Sequence, residues 1–207
     1  MKIIIIKFYK YKISKATRKT LKWKGIFYKI MIINKFATRL NSFKSNWKNP
    51  ELPSIQDLIK RASTVNGLTH IDLNFPDHSK PDLSEISKFT NDCGLKINGL
   101  AMRYYTNPAF KLGAFTNPDS KVRQEAIELT KRAIDALNEI NINLLTIWLG
   151  QDGFDYGFQV DYKKIWDDEI NAIKEIAEYD KNCLISIEYK PNEPRSYSLL
   201  SNLGTTL

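Results

Sequence analysis

Glu188 and Lys190 stand two residues apart at the end of a short β-favouring run, LISI, inside CLISIEYKPNEPRSY (183–197). On a strand this spacing turns both side chains to one side. Pro191 and Pro194 stop the strand and send the chain into a loop. A carboxylate there can hold a hard cation or take a proton, and an ammonium can face a developing oxyanion. The same pair also reads as a solvated, salt-linked strand edge. Trp148, Gln151, Asp152 and Asp155 form a second cluster. An aromatic at a strand end followed by amide and acid groups suits one wall of a polyol pocket, stacking on C–H faces and bonding hydroxyls. The plain alternative is an Asp-Gly turn beside a core tryptophan. Asp161 reads as a helix cap rather than a catalyst.

His70 and His78 are the only histidines. His70, in LTHIDLNF (68–75), reads as a core or interface residue, and His78 lies in the loop that follows. Their spacing to the acids makes no metal motif. Arg103, Lys111 and Arg195 could reach a sugar or a phosphate, but each reads first as a loop surface charge. Cys93 and Cys183 lie far apart in or beside apolar runs, without CxxC or zinc spacing, and are read as reduced and buried.

The elements that must position these residues follow a repeating rhythm. Strands are expected over 35–43, 68–75, 95–102, 144–149 and 183–189. Helices are expected over 53–62 (opened by Ser54), 83–92 (closing at Cys93-Gly94), 118–139 and 162–179. A longer insertion, 103–117, has the aromatic, Gly and Pro content of a loop. Consecutive strand-then-helix units argue for parallel strands. Loops after the strands are long or polar and the returns are short, which fits a (β/α)8 barrel with its site in the βα loops. A doubly wound sheet would want a glycine fingerprint after the first strand, and none is present.

At 207 residues with 43% hydrophobic content, the chain is long enough for one domain with a core. The net charge of +8 is uneven. Residues 1–30 hold ten Lys/Arg and no Asp/Glu, which leaves 21 basic and 23 acidic residues over 31–207. The body therefore gives no reason to expect nucleic acid. The basic, apolar stretch 1–30 reads as upstream sequence ahead of a start at Met31, or as a targeting segment, surface anchor or nucleic-acid arm. No run reaches the ~18 apolar residues of a membrane span, and a cytoplasmic location is expected.

ISIEYKPNEPR (185–195), TIWLGQDGFDYGFQVDY (146–162) and GAFTNPD (113–119) resemble the xylose-isomerase-like barrel group of sugar isomerases and epimerases, nearest the Pseudomonas-type L-rhamnose isomerases. The resemblance covers residues 37–207, with weaker support from LTHIDLNFP (68–76). It implies a partial (β/α)8 TIM barrel of about five βα units, taken as the N-terminal portion of a longer, truncated domain. It also implies metal-dependent aldose–ketose isomerisation of a monosaccharide and a divalent cation, usually Mn²⁺. Glu188 would be the first metal ligand and Lys190 the substrate-polarising lysine. Trp148, Gln151, Asp152 and Asn117 would bind substrate, and the remaining metal ligands would lie past residue 207. The full-length barrel would be a candidate homo-oligomer. Asn117 stands where the rhamnose isomerases carry a histidine, and an amide cannot replace it as acid or base. The rhamnose assignment therefore does not carry over. Within the same superfamily, sugar (phosphate) epimerisation is the alternative. Outside catalysis, the alternative is a carbohydrate-binding remnant; the expected truncation and an uncovered hydrophobic interior would leave the isolated chain poorly stable and inactive.

Overall fold

The computed structural model describes residues 35–79 and 82–207. The expected extension over 1–30 and the start at Met31 lie outside the described residues. Seven strands follow in chain order: β1 (Ala37–Arg39), β2 (His70–Phe75), β3 (Lys96–Met102), β4 (Leu144–Trp148), β5 (Gly153–Phe154), β6 (Leu184–Glu188) and β7 (Tyr197–Ser198). The helices are α1 (Ile55–Ser63), α2 (Leu83–Asp92), α3 (Ser120–Glu139), α4 (Tyr162–Tyr179) and a short α5 (Leu203–Thr206). Five strands form one sheet in the order β1-β2-β3-β4-β6, with every neighbouring pair parallel. This is the partial (β/α)8 barrel that the strand–helix rhythm predicts, with the strand order increasing by one βα unit at a time.

Local chemistry sets the helix starts. Ser54 and Asp57 form a reciprocal capping box on α1, Asp119 caps α3 through Lys121 N, and Asp161 caps α4 through Lys164 N. Helices α1 to α4 each bury one stripe against one face of the sheet. On α3 this stripe includes Ile127, Ile134 and Leu137, and on α4 Ile165, Ala172 and Ile176. The sheet answers with Ile71, Leu73, Leu100, Leu145, Ile147 and Ile185, all buried. The main core therefore sits between sheet and helices.

The other face is different. Residues paired across a parallel ladder share a face, and the register places Arg39 beside Asp72, and Trp148 beside Glu188. With Asn74, Thr146 and Ser186 on the same parity, the barrel's inner face is largely polar. This corrects the expectation of an uncovered hydrophobic interior. Parity explains it: alternation sends Ile71, Leu73, Leu100, Leu145, Ile147 and Ile185 outward to the helices.

The first strand is also shorter than expected. Only Ala37–Arg39 is extended, and Leu40–Lys44 winds into a 3-10 turn that buries Leu40. Arg61 on α1 holds that turn by donating to the Phe43 carbonyl at 2.7 Å and the Ser45 carbonyl at 2.9 Å. Between β2 and β3 the register slips at Ile71/Asp72. The slip lets Asn98 donate to the Asp72 carboxylate at 2.8 Å. Two-residue strands β5 and β7 pair antiparallel outside the main sheet. They were not expected from the sequence, because a two-residue run shows no period. Gly153 permits this ribbon: it has φ +153° and its Cα passes so close to Tyr197 that an added Cβ would meet the Tyr197 carbonyl at 2.0 Å.

Candidate active site

The C-terminal ends of β1, β2, β3, β4 and β6 open on one mouth, and the sequence-predicted residues fall in two groups there. Glu188, Lys190, Trp148 and Gln151 gather at the ends of β4 and β6. Lys190 Nζ lies 5.8 Å from the centroid of the Trp148 ring. Tyr105, from the loop after β3, meets the same indole edge-on with ring centroids 5.3 Å apart. Gly150 leaves room for that indole, since a Cβ there would come within 2.3 Å of it. The Trp148 Nε1 is buried without a partner among the described residues, as is the Ser186 hydroxyl two residues before Glu188. Gln151 is half-buried in the turn that follows.

The Glu-x-Lys pair is not salt-linked to itself. Lys190 pairs with Glu193 at 2.6 Å. Glu188 is reached from across the barrel by the Arg39 guanidinium, 149 residues away in sequence. Arg39 is a residue that the sequence reading did not single out. Its only sequence signal is a charge on the inward parity of a strand.

Asp152 and Asn117 form the second group, and they hold loops together. Asp152 is 1% exposed. Its carboxylate accepts from Ala114 N at 3.0 Å, Thr116 N at 2.7 Å and the Thr116 hydroxyl at 2.8 Å. Its carbonyl accepts from Leu199 N at 3.0 Å. One residue thus ties together the loops after β3, β4 and β6. Burial pushes its carboxyl above the usual carboxylate range, against the pull of these donors. The Asn117 amide donates to the Gly113 carbonyl at 2.9 Å and accepts from Asp119 N at 3.0 Å, so it shapes the entry to α3.

Three further polar residues converge on the ends of β2 and β3. Asn74 is 1% exposed and neither side-chain atom has a partner among the described residues. His78 is buried, and its Nδ1 accepts from Asn74 N at 3.1 Å. Burial lowers it to about 4, so it is neutral at physiological pH with its proton on Nε2. Arg103, read from sequence as a surface charge, is 9% exposed. Arg195, read the same way, is 7% exposed and pairs with Asp155 at 3.1 Å. His70 is half-buried with Nδ1 2.8 Å from the Thr69 hydroxyl.

The arrangement offers a carboxylate, several cations and an indole wall. It does not make a divalent-cation centre. Among the described residues no group of three or more His, Cys, Asp or Glu side chains could hold a metal ion. Glu188, the expected first ligand, already has a guanidinium as its counter-ion. These residues alone do not fit Mn²⁺, which wants about six hard ligands.

No family model matches the chain. A xylose isomerase of Thermus thermophilus is 28% identical over 136 residues, which is 64% of this chain and 35% of that protein. A solved L-ribulose 3-epimerase superposes with a TM-score of 0.63 at 16% identity, over 83% of this chain and 54% of that one. A D-allulose 3-epimerase from Methylomonas gives 0.59 at 16% identity, over 82% and 55%. The chain spans about half the length of these solved structures and about a third of the xylose isomerase. The likeness lends no specific support to the L-rhamnose isomerase type. Among the described residues, no helix is long and apolar enough to cross a membrane. Five parallel strands, the first four each followed by a packed helix, with mouth loops that Asp152 ties together, give this chain the partial-barrel, xylose-isomerase-like fold.

Proposed function

We propose that this chain supplies the Glu188 half of a sugar isomerase or epimerase site, working by hydrogen transfer at a carbon next to a ketose carbonyl. Epimerisation at C3 is favoured over the aldose–ketose interconversion expected from sequence. The observation that carries this reading is the fit to ketose 3-epimerases over more than four-fifths of the chain. The chemistry agrees with the residues at the mouth. A half-exposed carboxylate, Glu188, can take the proton of a C–H made acidic by the neighbouring carbonyl. Arg39 and Lys190 bring positive charge to the oxygen that gains electron density. Trp148 offers an apolar wall for the sugar's C–H face. A cation such as Mn²⁺ would have to take its further ligands from residues other than those described, and no step is assigned to it.

The test is solvent hydrogen exchange. The chain is incubated in deuterated water with L-ribulose or D-allulose, with and without Mn²⁺, and followed by NMR. Deuterium at C3 that disappears in Glu188→Gln supports the epimerase reading. Exchange confined to C1 with formation of an aldose favours the isomerase reading instead. If no ketose exchanges at all, catalysis by this chain is set aside. A non-catalytic carbohydrate-binding role has its own support, the Arg39 guanidinium seated on Glu188. Saturation transfer from the protein to a non-exchanging ketose would favour it.

A further inference from the structure

Arg103 follows β3 at the mouth of the barrel and is nine-tenths buried, yet its guanidinium has no ion-pair or hydrogen-bond partner among the described residues. Its backbone is fixed, with Arg103 N donating to the Phe75 carbonyl at 2.9 Å at the end of β2. The plane of the guanidinium lies 5.1 Å from the centroid of Tyr105, and Tyr105 in turn meets Trp148. Its Nε is fully enclosed and unbonded. A buried guanidinium is costly unless something satisfies it, and an Arg fork is shaped for a carboxylate or phosphate.

Two neighbouring donors are in the same condition. His78 Nδ1 is occupied by the Asn74 N–H, which leaves Nε2–H as a buried donor with no acceptor. The Asn74 amide is buried and unbonded. Arg103 packs on Tyr105, Tyr105 meets Trp148, and Trp148 lies in register with Glu188, so Arg103 sits at the same mouth as the candidate carboxylate. Neither Asp77 nor Glu188 reaches it within ion-pair distance. His78 also lines a cavity of about 430 Å³ that Lys44, Asp77 and the first turn of α1 complete.

We propose that the ligand of this mouth is an anionic sugar, whose carboxylate or phosphate oxygens seat on the Arg103 guanidinium beside the Nε2–H of His78. The inference rests on the sugar-handling reading above and narrows it from neutral ketoses to a polyol with an oxyanion at one end. A sugar acid and a sugar phosphate both offer Arg103 a pair of adjacent anionic acceptor oxygens.

The experiment is a calorimetric titration of the full chain with four probes: D-fructose, D-fructose 6-phosphate, D-gluconate and inorganic phosphate. At least tenfold tighter binding of an anionic sugar than of D-fructose is expected, and Arg103→Met should abolish the difference. Arg103→Lys, which keeps the charge without the fork, should retain part of the preference and guards against a folding defect in the first variant. Preference for gluconate identifies a sugar acid, and preference for the 6-phosphate identifies a sugar phosphate. Equal binding of D-fructose and both anionic sugars overturns the inference and leaves the sugar reading standing. Binding of inorganic phosphate through Arg103 without any sugar keeps the anion site but removes the sugar. An anionic preference that survives Arg103→Met overturns the inference, as does a failure to bind any of the four probes.

Discussion

At the residue scale, Asp152 and Arg39 make opposite demands on the fold. The Asp152 carboxylate is enclosed and accepts from two backbone N–H groups and a hydroxyl. Removing it leaves Ala114 N and Thr116 N buried without an acceptor. Asp152→Ala should therefore cost roughly 3–4 kcal/mol, the loss of charge-assisted bonds plus the stranded donors. Urea unfolding of the two proteins checks it. The Arg39–Glu188 pair is solvent-facing, with the side chains 28% and 47% exposed. Its coupling should be only about 0–1 kcal/mol, because water screens the charges and two long side chains lose freedom. A double-mutant cycle with Arg39→Met and Glu188→Gln measures that term, and a coupling several times larger would show the pair to be structural.

At the scale of the element, α4 carries a conflict. Its buried stripe of Ile165, Ala172 and Ile176 also includes Glu169, which is 0% exposed and has neither oxygen bonded among the described residues. Burial pushes its carboxyl well above 4.5, and the nearby Asp152 adds to the shift. The folded chain thus keeps a proton that the unfolded chain has already lost. Its contribution to stability is intact below the ordinary carboxylate value and is lost as pH rises toward the folded value. Over that window the slope is about 1.4 kcal/mol per pH unit for one proton. Glu169→Met should flatten the decline and raise stability at neutral pH. Chemical denaturation of both proteins at a series of pH values from 5 to 8 gives the comparison, and parallel curves would rule Glu169 out as the source. Neighbouring helices show no such conflict, since their buried stripes are apolar apart from Thr90 on α2 and Thr130 on α3.

At the scale of the whole molecule, the governing fact is a parallel sheet whose two edge strands have no further partner among the described residues. Among the described residues β1 pairs only with β2, and β6 only with β4. Open strand edges recruit further strands unless they are short, charged or covered. Here β1 is three residues long, which blunts one side, while β6 presents LISIE along the other. We expect sedimentation velocity on the purified chain to show association that increases with concentration. A monodisperse monomer over a hundredfold range would mean that the β6 edge is protected. The largely polar inner face makes the partial sheet less of a hydrophobic liability than the strand count alone suggests.

What the sequence determined by itself is the local grammar. Capping by Ser54, Asp119 and Asp161, the apolar stripes at helical spacing, and the prolines after β2 and β6 each act within a few residues. They place α2 and α4 to the residue and most other ends within two. Parallel order follows from the alternation of strand and helix. Glu188 and Lys190 were legible as one pair and Trp148 as part of a second cluster because each stands at or just past the end of a strand of that alternation. The tertiary structure decided what each polar side chain faces. That Asp152 turns inward to bind the 114–116 loop, that Arg39 crosses the barrel to Glu188, and that Arg103 is enclosed without a counter-ion depend on strand register and curvature. Those are set by packing between segments 36 to 149 residues apart. No spacing within a single segment encodes such an encounter. Periodicity assigns a side chain to a face, but only the assembled sheet brings faces from distant strands together.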